Sequence, residues 1–120
     1  MGRPFRLEAI QTLSEKPMNA RDPKGLPAIE SVWFVEATYA PDAAETRGPF
    51  RRAHLARIVE LKEAGIIVEA GAFADVSASI VLLRAASEEA AIAVCREDVY
   101  MKNGVWVEIR ARPFGRVVGP

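Results

Sequence analysis

The chain has 120 residues, 50% of them hydrophobic and 27% charged. That is the balance of one folded globular domain, with no room for a second catalytic module. Sixteen Lys and Arg offset sixteen Asp and Glu, so no net field is available to hold polyphosphate and no nucleic-acid partner is expected. One histidine and one cysteine exclude an intrachain disulfide and a Cys/His zinc cage. The basic start, Met1-Gly2-Arg3-Pro4-Phe5-Arg6, is followed by no apolar signal core, and Arg6 breaks the myristoylation pattern. No apolar stretch approaches the roughly 20 residues that span a bilayer, so no membrane partner and a cytoplasmic location are expected.

In chain order, residues 1–30 stand apart. They hold four of the eight prolines (Pro4, Pro17, Pro23, Pro27) and the turn-rich run Asn19–Gly25, and they read as an arm with at most one short element around Phe5–Leu13. The domain proper is placed at 31–118. Val32–Tyr39 is aromatic and β-branched, hence a strand. Pro41–Gly48 is a polar loop. Pro49 suits the first turn of a helix that runs Phe50–Ala64 and stops at Gly65. Its buried stripe is Leu55, Ile58, Leu61 and Ala64. Ile66–Gly71 and Ser79–Ala85 read as strands, and Ser87 caps a second helix to about Glu97. Asn103-Gly104 is a turn, and Val105–Arg112 is a last strand ended by Pro113. The order β-α-β-β-α-β predicts an α+β ferredoxin-like fold, a four-stranded antiparallel sheet with two helices on one face.

Strict alternation puts Val35, Ala37, Ile66, Val68, Ala70, Ser79, Val81, Leu83, Val105, Val107 and Ile109 under the helices. The opposite set is Phe34, Glu36, Ile67, Glu69, Ile80, Leu82, Arg84, Trp106, Glu108, Arg110 and Arg112. That face is too apolar to be simply wet and too charged to be a dry core, so it is expected to meet a second sheet or to line a pocket.

His54 is the only imidazole. Near a helix N-terminus, with Arg51, Arg52 and Arg57 around it, the dipole and the neighbouring charges favour the neutral ring, the form a general base needs. A lone helix histidine is nonetheless more often structural than catalytic. Asp75, in a loop after the second strand, could accept a hydrogen bond from one ring nitrogen and leave the other as the base, or it is an ordinary turn aspartate. Ser77 and Ser79 lack a nucleophile-elbow pattern. Cys95 lies in an alanine-rich helix and reads as a small buried hydrophobe. Glu36, Glu69 and Glu108 have no His companion and have arginines to pair with, so no metal is expected. No Gly-rich phosphate loop exists.

Taken together, Arg52-Ala53-His54-Leu55-Ala56-Arg57, Leu61, Gly65, Ala70-Gly71, Asp75, Asp98-Val99-Tyr100, Gly104-Val105 and Arg112-Pro113-Phe114 resemble the YciI-like (YCII-related) proteins over about residues 31–118. Where that family has Asp-Pro-Tyr, this chain reads Asp98-Val99-Tyr100, and the arm lies outside the family's short form. The resemblance implies a dimeric α+β barrel, with two sheets face to face in a homodimer, and it implies that His54 and Asp75 match the His and Asp proposed as an active-site pair. A relative resembles a dehydrochlorinase of a chlorinated hydroxyquinol, and the wider superfamily includes muconolactone isomerase-like enzymes; both move protons on an enolisable ring. Some related barrels bind heme through a histidine, but here the single histidine is already assigned.

The expected protein is therefore a small cofactor-free lyase or isomerase acting on a small-molecule substrate. His54 and Asp75 are its catalytic candidates, and Arg52, Tyr100, Asp98, Glu36 and Trp106 are its substrate-binding candidates. The alternatives are a non-catalytic ligand-binding or accessory protein, and a purely structural dimer.

Overall fold

The structure, a computed structural model, describes residues 27–119. The Phe5–Leu13 element and most of the expected arm lie outside the described residues. The elements run β1 (Ile29–Tyr39), α1 (Ala43–Thr46), α2 (Gly48–Glu63), β2 (Ile67–Ala72), β3 (Ala78–Leu83), α3 (Glu88–Arg96), α4 (Val99–Lys102) and β4 (Trp106–Val117). The sheet is antiparallel in the order β2-β3-β1-β4, the ferredoxin-like arrangement expected from the element order. Both long helices contribute side chains to one core with Val35, Ala37, Val81, Leu83 and Ile109, so they share one face of the sheet.

Local chemistry explains the helix ends. Pro49 opens α2, where its missing N–H is not needed. At the other end Gly65 takes φ +79°, its amide bonds Lys62 O, and the Ile66 amide bonds Leu61 O, both at 3.0 Å. This pair of bonds is the Schellman stop. Ser87 Oγ accepts the Ala90 amide at 3.1 Å and starts α3. Two short helices appear within stretches that hydropathy reads as loop or turn, α1 and α4; they are too short to show a periodicity.

The strands differ from the expectation in three respects. β1 begins at Ile29, inside the stretch assigned to the arm. β4 does not end at Pro113 but continues to Val117. It is an edge strand, and a residue without an N–H is tolerated there when that group would face outward. The third difference concerns which face side chains take. Thr38 pairs with Glu108 and Tyr39 with Trp106, which leaves Val107 as an extra residue. Ile67 pairs with Leu83 and Glu69 with Leu82, which leaves Val68 extra. Each bulge shifts the alternation by one. Trp106 and Ile67, expected on the mixed face, are therefore buried in the core at 1% and 3% exposure, while Val107 is 52% exposed. The face away from the helices keeps Phe34, Glu36, Ile80, Leu82, Arg110 and Arg112 by register. The helix stripe is also shifted: Leu55 and Ala64 are exposed, Ile58 and Leu61 are half-buried, and the one fully buried residue of α2 is His54.

Replacing Ser87 by Ala removes the acceptor for the Ala90 amide; urea unfolding is expected to show a loss of about 1 kcal/mol.

Candidate functional site

His54 faces the core, where three elements converge on it. Its ring stacks on Tyr100 of α4 at 3.8 Å with planes 6° apart, and meets the edge of Trp106 at 5.2 Å. Its Nδ1 lies 2.7 Å from Asp98 Oδ2. Asp98 is fully buried and is the N-cap of α4, with Oδ2 also accepting the Tyr100 amide at 2.9 Å. The other oxygen accepts from Arg57 Nη1 at 3.3 Å, and Arg57 Nη2 donates to Val94 O at 2.9 Å. The α4 helix, invisible to periodicity, is thus what brings Asp98 to α2.

Burial is the largest influence on the Asp98 carboxyl and favours its neutral form. The hydrogen bonds from His54 and the Tyr100 amide, with the charge of Arg57 and that of His54 when the ring is protonated, outweigh it and hold the group below the ordinary aspartate range. An ionised carboxylate carries no proton to share, so neutral His54 must donate Nδ1–H to it and keep its Nε2 lone pair free. Burial pushes the Tyr100 hydroxyl up from its usual value, followed by the influence of Tyr39, so it stays protonated as a donor. Burial likewise pushes the Cys95 thiol up to about 12, which leaves it a packing residue.

His54, Tyr100 and Trp106 form part of the wall of a cavity of about 340 Å³ between α2 and the β2–β3 hairpin. The cavity exists because the hairpin places Ala70, Gly71, Ala72 and Ala74 along it, side chains too short to fill the space under α2. Leu55, Ile58, Val76 and Val81 add apolar wall, and the 53% exposed Phe73 forms a rim. Ser79 Oγ donates to Tyr39 Oη at 3.0 Å, and both residues line the cavity. Arg47 and Arg51 reach it from the start of α2. Among the described residues, the buried side-chain polar atom without a hydrogen-bond partner is Trp106 Nε1.

The expected partner of His54 is corrected by this geometry: the aspartate bonded to it is Asp98, and Asp75 is not. Asp75 Oδ1 accepts the Ser77 amide at 3.0 Å, and the Ser77 side chain first, then this amide, lower its pKa. The turn it stabilises holds Val76 at φ +58°, a left-handed conformation rare for a β-branched residue. Asp75 shapes the hairpin and is exposed, outside the cavity wall. Arg52 is also exposed and outside the wall. Glu36 lies by register on the opposite face, in a separate pocket of about 370 Å³ with Phe34, Arg110 and Arg112. Tyr100 and Trp106 do meet His54, and Asp98 stands behind it rather than in the wall. Arg47, Arg51 and Tyr39 are wall residues that sequence reasoning did not single out. For Arg47 and Arg51 a signal existed, since they precede His54 by seven and three residues and so approach its face of α2. No group of three or more His, Cys, Asp or Glu among the described residues could hold a metal ion, and no helix among them is long and apolar enough to cross a membrane.

The YCII-related domain family matches residues 32–115. No curated protein matches the chain. Among solved structures, the fold is similar to that of 5-chloro-2-hydroxyhydroquinone dehydrochlorinase (TftG) from Burkholderia phenoliruptrix AC1100, in complex with 2,5-dihydroxybenzoquinone, with a TM-score of 0.60 and 18% identity over 69% of this chain and 92% of that one.

With its folded-state pKa depressed, Asp98 contributes stability that is present above the unfolded pKa of about 3.9 and is lost as pH falls through the folded value. Denaturation curves between pH 2 and 7 are expected to show this acid limb, and Asp98→Asn is expected to flatten it while lowering stability at pH 7 by about 1–3 kcal/mol.

Proposed function

The chain belongs to the YCII-related domain family, and from its His54–Asp98 pair at a small cavity we propose a cofactor-free enzyme that moves a proton on a small aromatic or otherwise enolisable substrate. The observation that carries this reading is the 2.7 Å contact between Nδ1 of His54, a residue of the cavity wall, and the buried Asp98 carboxyl behind it. Structural histidines can be buried and bonded; this one is held in a single tautomer beside space for a ligand, the arrangement general-base catalysis needs.

In the proposed step, His54 Nε2 takes a proton from a substrate carbon or hydroxyl. The electron pair left behind moves into the conjugated system and develops as charge on an oxygen. The imidazolium that forms is stabilised by the Asp98 carboxylate through Nδ1–H, and Asp98 keeps its own charge throughout. Returning the proton to a different atom completes an isomerisation; expelling an anion from the neighbouring carbon completes an elimination. Asp98 takes the positioning role that the sequence suggested for Asp75. Tyr100 orients the imidazole by stacking and offers a protonated hydroxyl. Dehydrochlorination by the structural neighbour is consistent with this type of chemistry, and the likeness to it supports the fold.

We further propose that the mixed sheet face is where a second copy packs. Phe34 and Phe114 lie 5.8 Å apart there and the Arg112 guanidinium sits over the Phe34 ring at 5.4 Å, an aromatic and arginine composition typical of interface centres. Light scattering on the full chain is expected to give twice the monomer mass, and Phe34→Glu is expected to reduce it; a monomeric wild type overturns this placement.

Proton transfer is read without knowing the physiological substrate. Phenols, hydroxyquinones and unsaturated lactones are incubated with the protein in deuterium oxide, and NMR follows loss of exchangeable C–H signals. The wild type is expected to accelerate exchange for at least one compound class, and His54→Gln, shown by circular dichroism to be folded at the assay temperature, to lower that rate by about 100-fold or more. Exchange that survives in folded His54→Gln rejects the mechanism.

A further inference from the structure

The charge of the cavity wall is one-sided. Arg47 and Arg51 both line it, and no Asp or Glu does. Among the described residues neither arginine takes part in an ion pair, whereas Arg57, Arg84, Arg110 and Arg116 each do. The charges of Arg47 and Arg51 are felt at the Tyr100 hydroxyl, so they act inside the cavity and not only on the outer surface. The remaining polar groups include donors without an acceptor. Ser79 donates to Tyr39 Oη, which leaves the Tyr39 hydroxyl hydrogen unused. Trp106 Nε1–H lacks an acceptor, and a buried donor without one is costly. His54 Nε2, the base itself, and the hydroxyl oxygens are the neutral acceptors of this wall.

A wall with two arginines lacking a protein anion and an indole N–H lacking an acceptor favours a ligand that brings acceptors and negative charge. We propose that the substrate class of this cavity is a small organic anion, about one ring in size, which enters already ionised with its oxyanion between Arg47 and Arg51 and its apolar body against Leu55, Ile58 and Phe73. The inference rests on the cavity being the reaction site and adds the charge of what enters it. Carboxylate, phenolate and enolate share the required chemistry, since arginine pairs with each through charge-assisted hydrogen bonds. A cavity near the lower end of the usual 300–1,000 Å³ range limits the body to that size. In this placement the arginines hold the ionised oxygen before the reaction and spread charge that develops during it.

The test compares ligands of equal shape and different charge. Benzoate, 4-hydroxybenzoate and 2-furoate are titrated against the full chain by calorimetry and ligand-observed NMR, beside their neutral primary amides. At least one acid is expected to bind tenfold or more tightly than its amide, with affinity falling as salt is raised. Arg47→Gln and Arg51→Gln are each expected to reduce that preference, and the double variant to abolish it. Arg96→Gln, on the exposed end of α3, is expected to leave it intact. His54→Gln is expected to keep the anion preference while losing proton exchange, which separates this inference from the catalytic one. Absence of binding by all three acids at millimolar concentration, equal binding by the amides, or a preference that survives in the double arginine variant overturns it.

Discussion

A buried carboxylate must be surrounded by donors or it loses its charge, and the structure around Asp98 is organised by that requirement. Three donors reach it from two parts of the chain, His54 and Arg57 from α2 and the Tyr100 amide from the start of α4, and Arg57 donates onward to the Val94 carbonyl of α3. The bonds that keep Asp98 ionised join α2 to α4 and set the tautomer of the imidazole, and the second Arg57 bond joins the two long helices. Stability and the proposed chemistry therefore draw on one interaction, because the desolvation that would neutralise a lone aspartate is what makes its hydrogen bonds strong.

The β-bulge at Val107 completes the arrangement. Without the extra residue, Trp106 would point to the opposite face of the sheet. With it, the indole sits against both the imidazole and the Tyr100 ring, 5.6 Å from the latter. Tyr100 is thereby held between a stacked and an edge-on aromatic neighbour. The imidazole is confined by packing on two sides and by a hydrogen bond on a third, and the cavity is what remains on its open side. The small residues of the β2–β3 hairpin and the left-handed turn at Val76, bridged by Asp75, keep that side unfilled. Asp75 thus shapes the site from a distance.

Much of the fold was readable in the residues. The alternating aromatic and β-branched runs marked strands, Pro49 and Gly65 bracketed α2, and Ser87 announced α3, because each of these signals acts within a few residues of itself. The bulges were not readable, since an extra residue in a strand changes no propensity. They became visible only through pairing with β1 and β3, and they moved Ile67 and Trp106 from one face to the other. Family membership, matched over residues 32–115, agrees with the resemblance carried by the His-Leu helix, the Ala-Gly strand end and the terminal Pro-Phe.

For the site, the sequence determined the inventory. With one histidine in the chain, any imidazole chemistry had to run through His54, and the arginines of its helix were already in view. The choice of carboxylate was decided only by the tertiary structure. Asp75 and Asp98 both follow core elements and both cap short turns, so nothing local distinguishes them as partners for a residue on α2. Their difference is burial: one lies in a surface turn with its own backbone to bond, the other inside the packed junction of three helices. Burial and contact over 44 positions are properties of the assembled chain, and they arise only once the sheet, its bulges and both helices are in place.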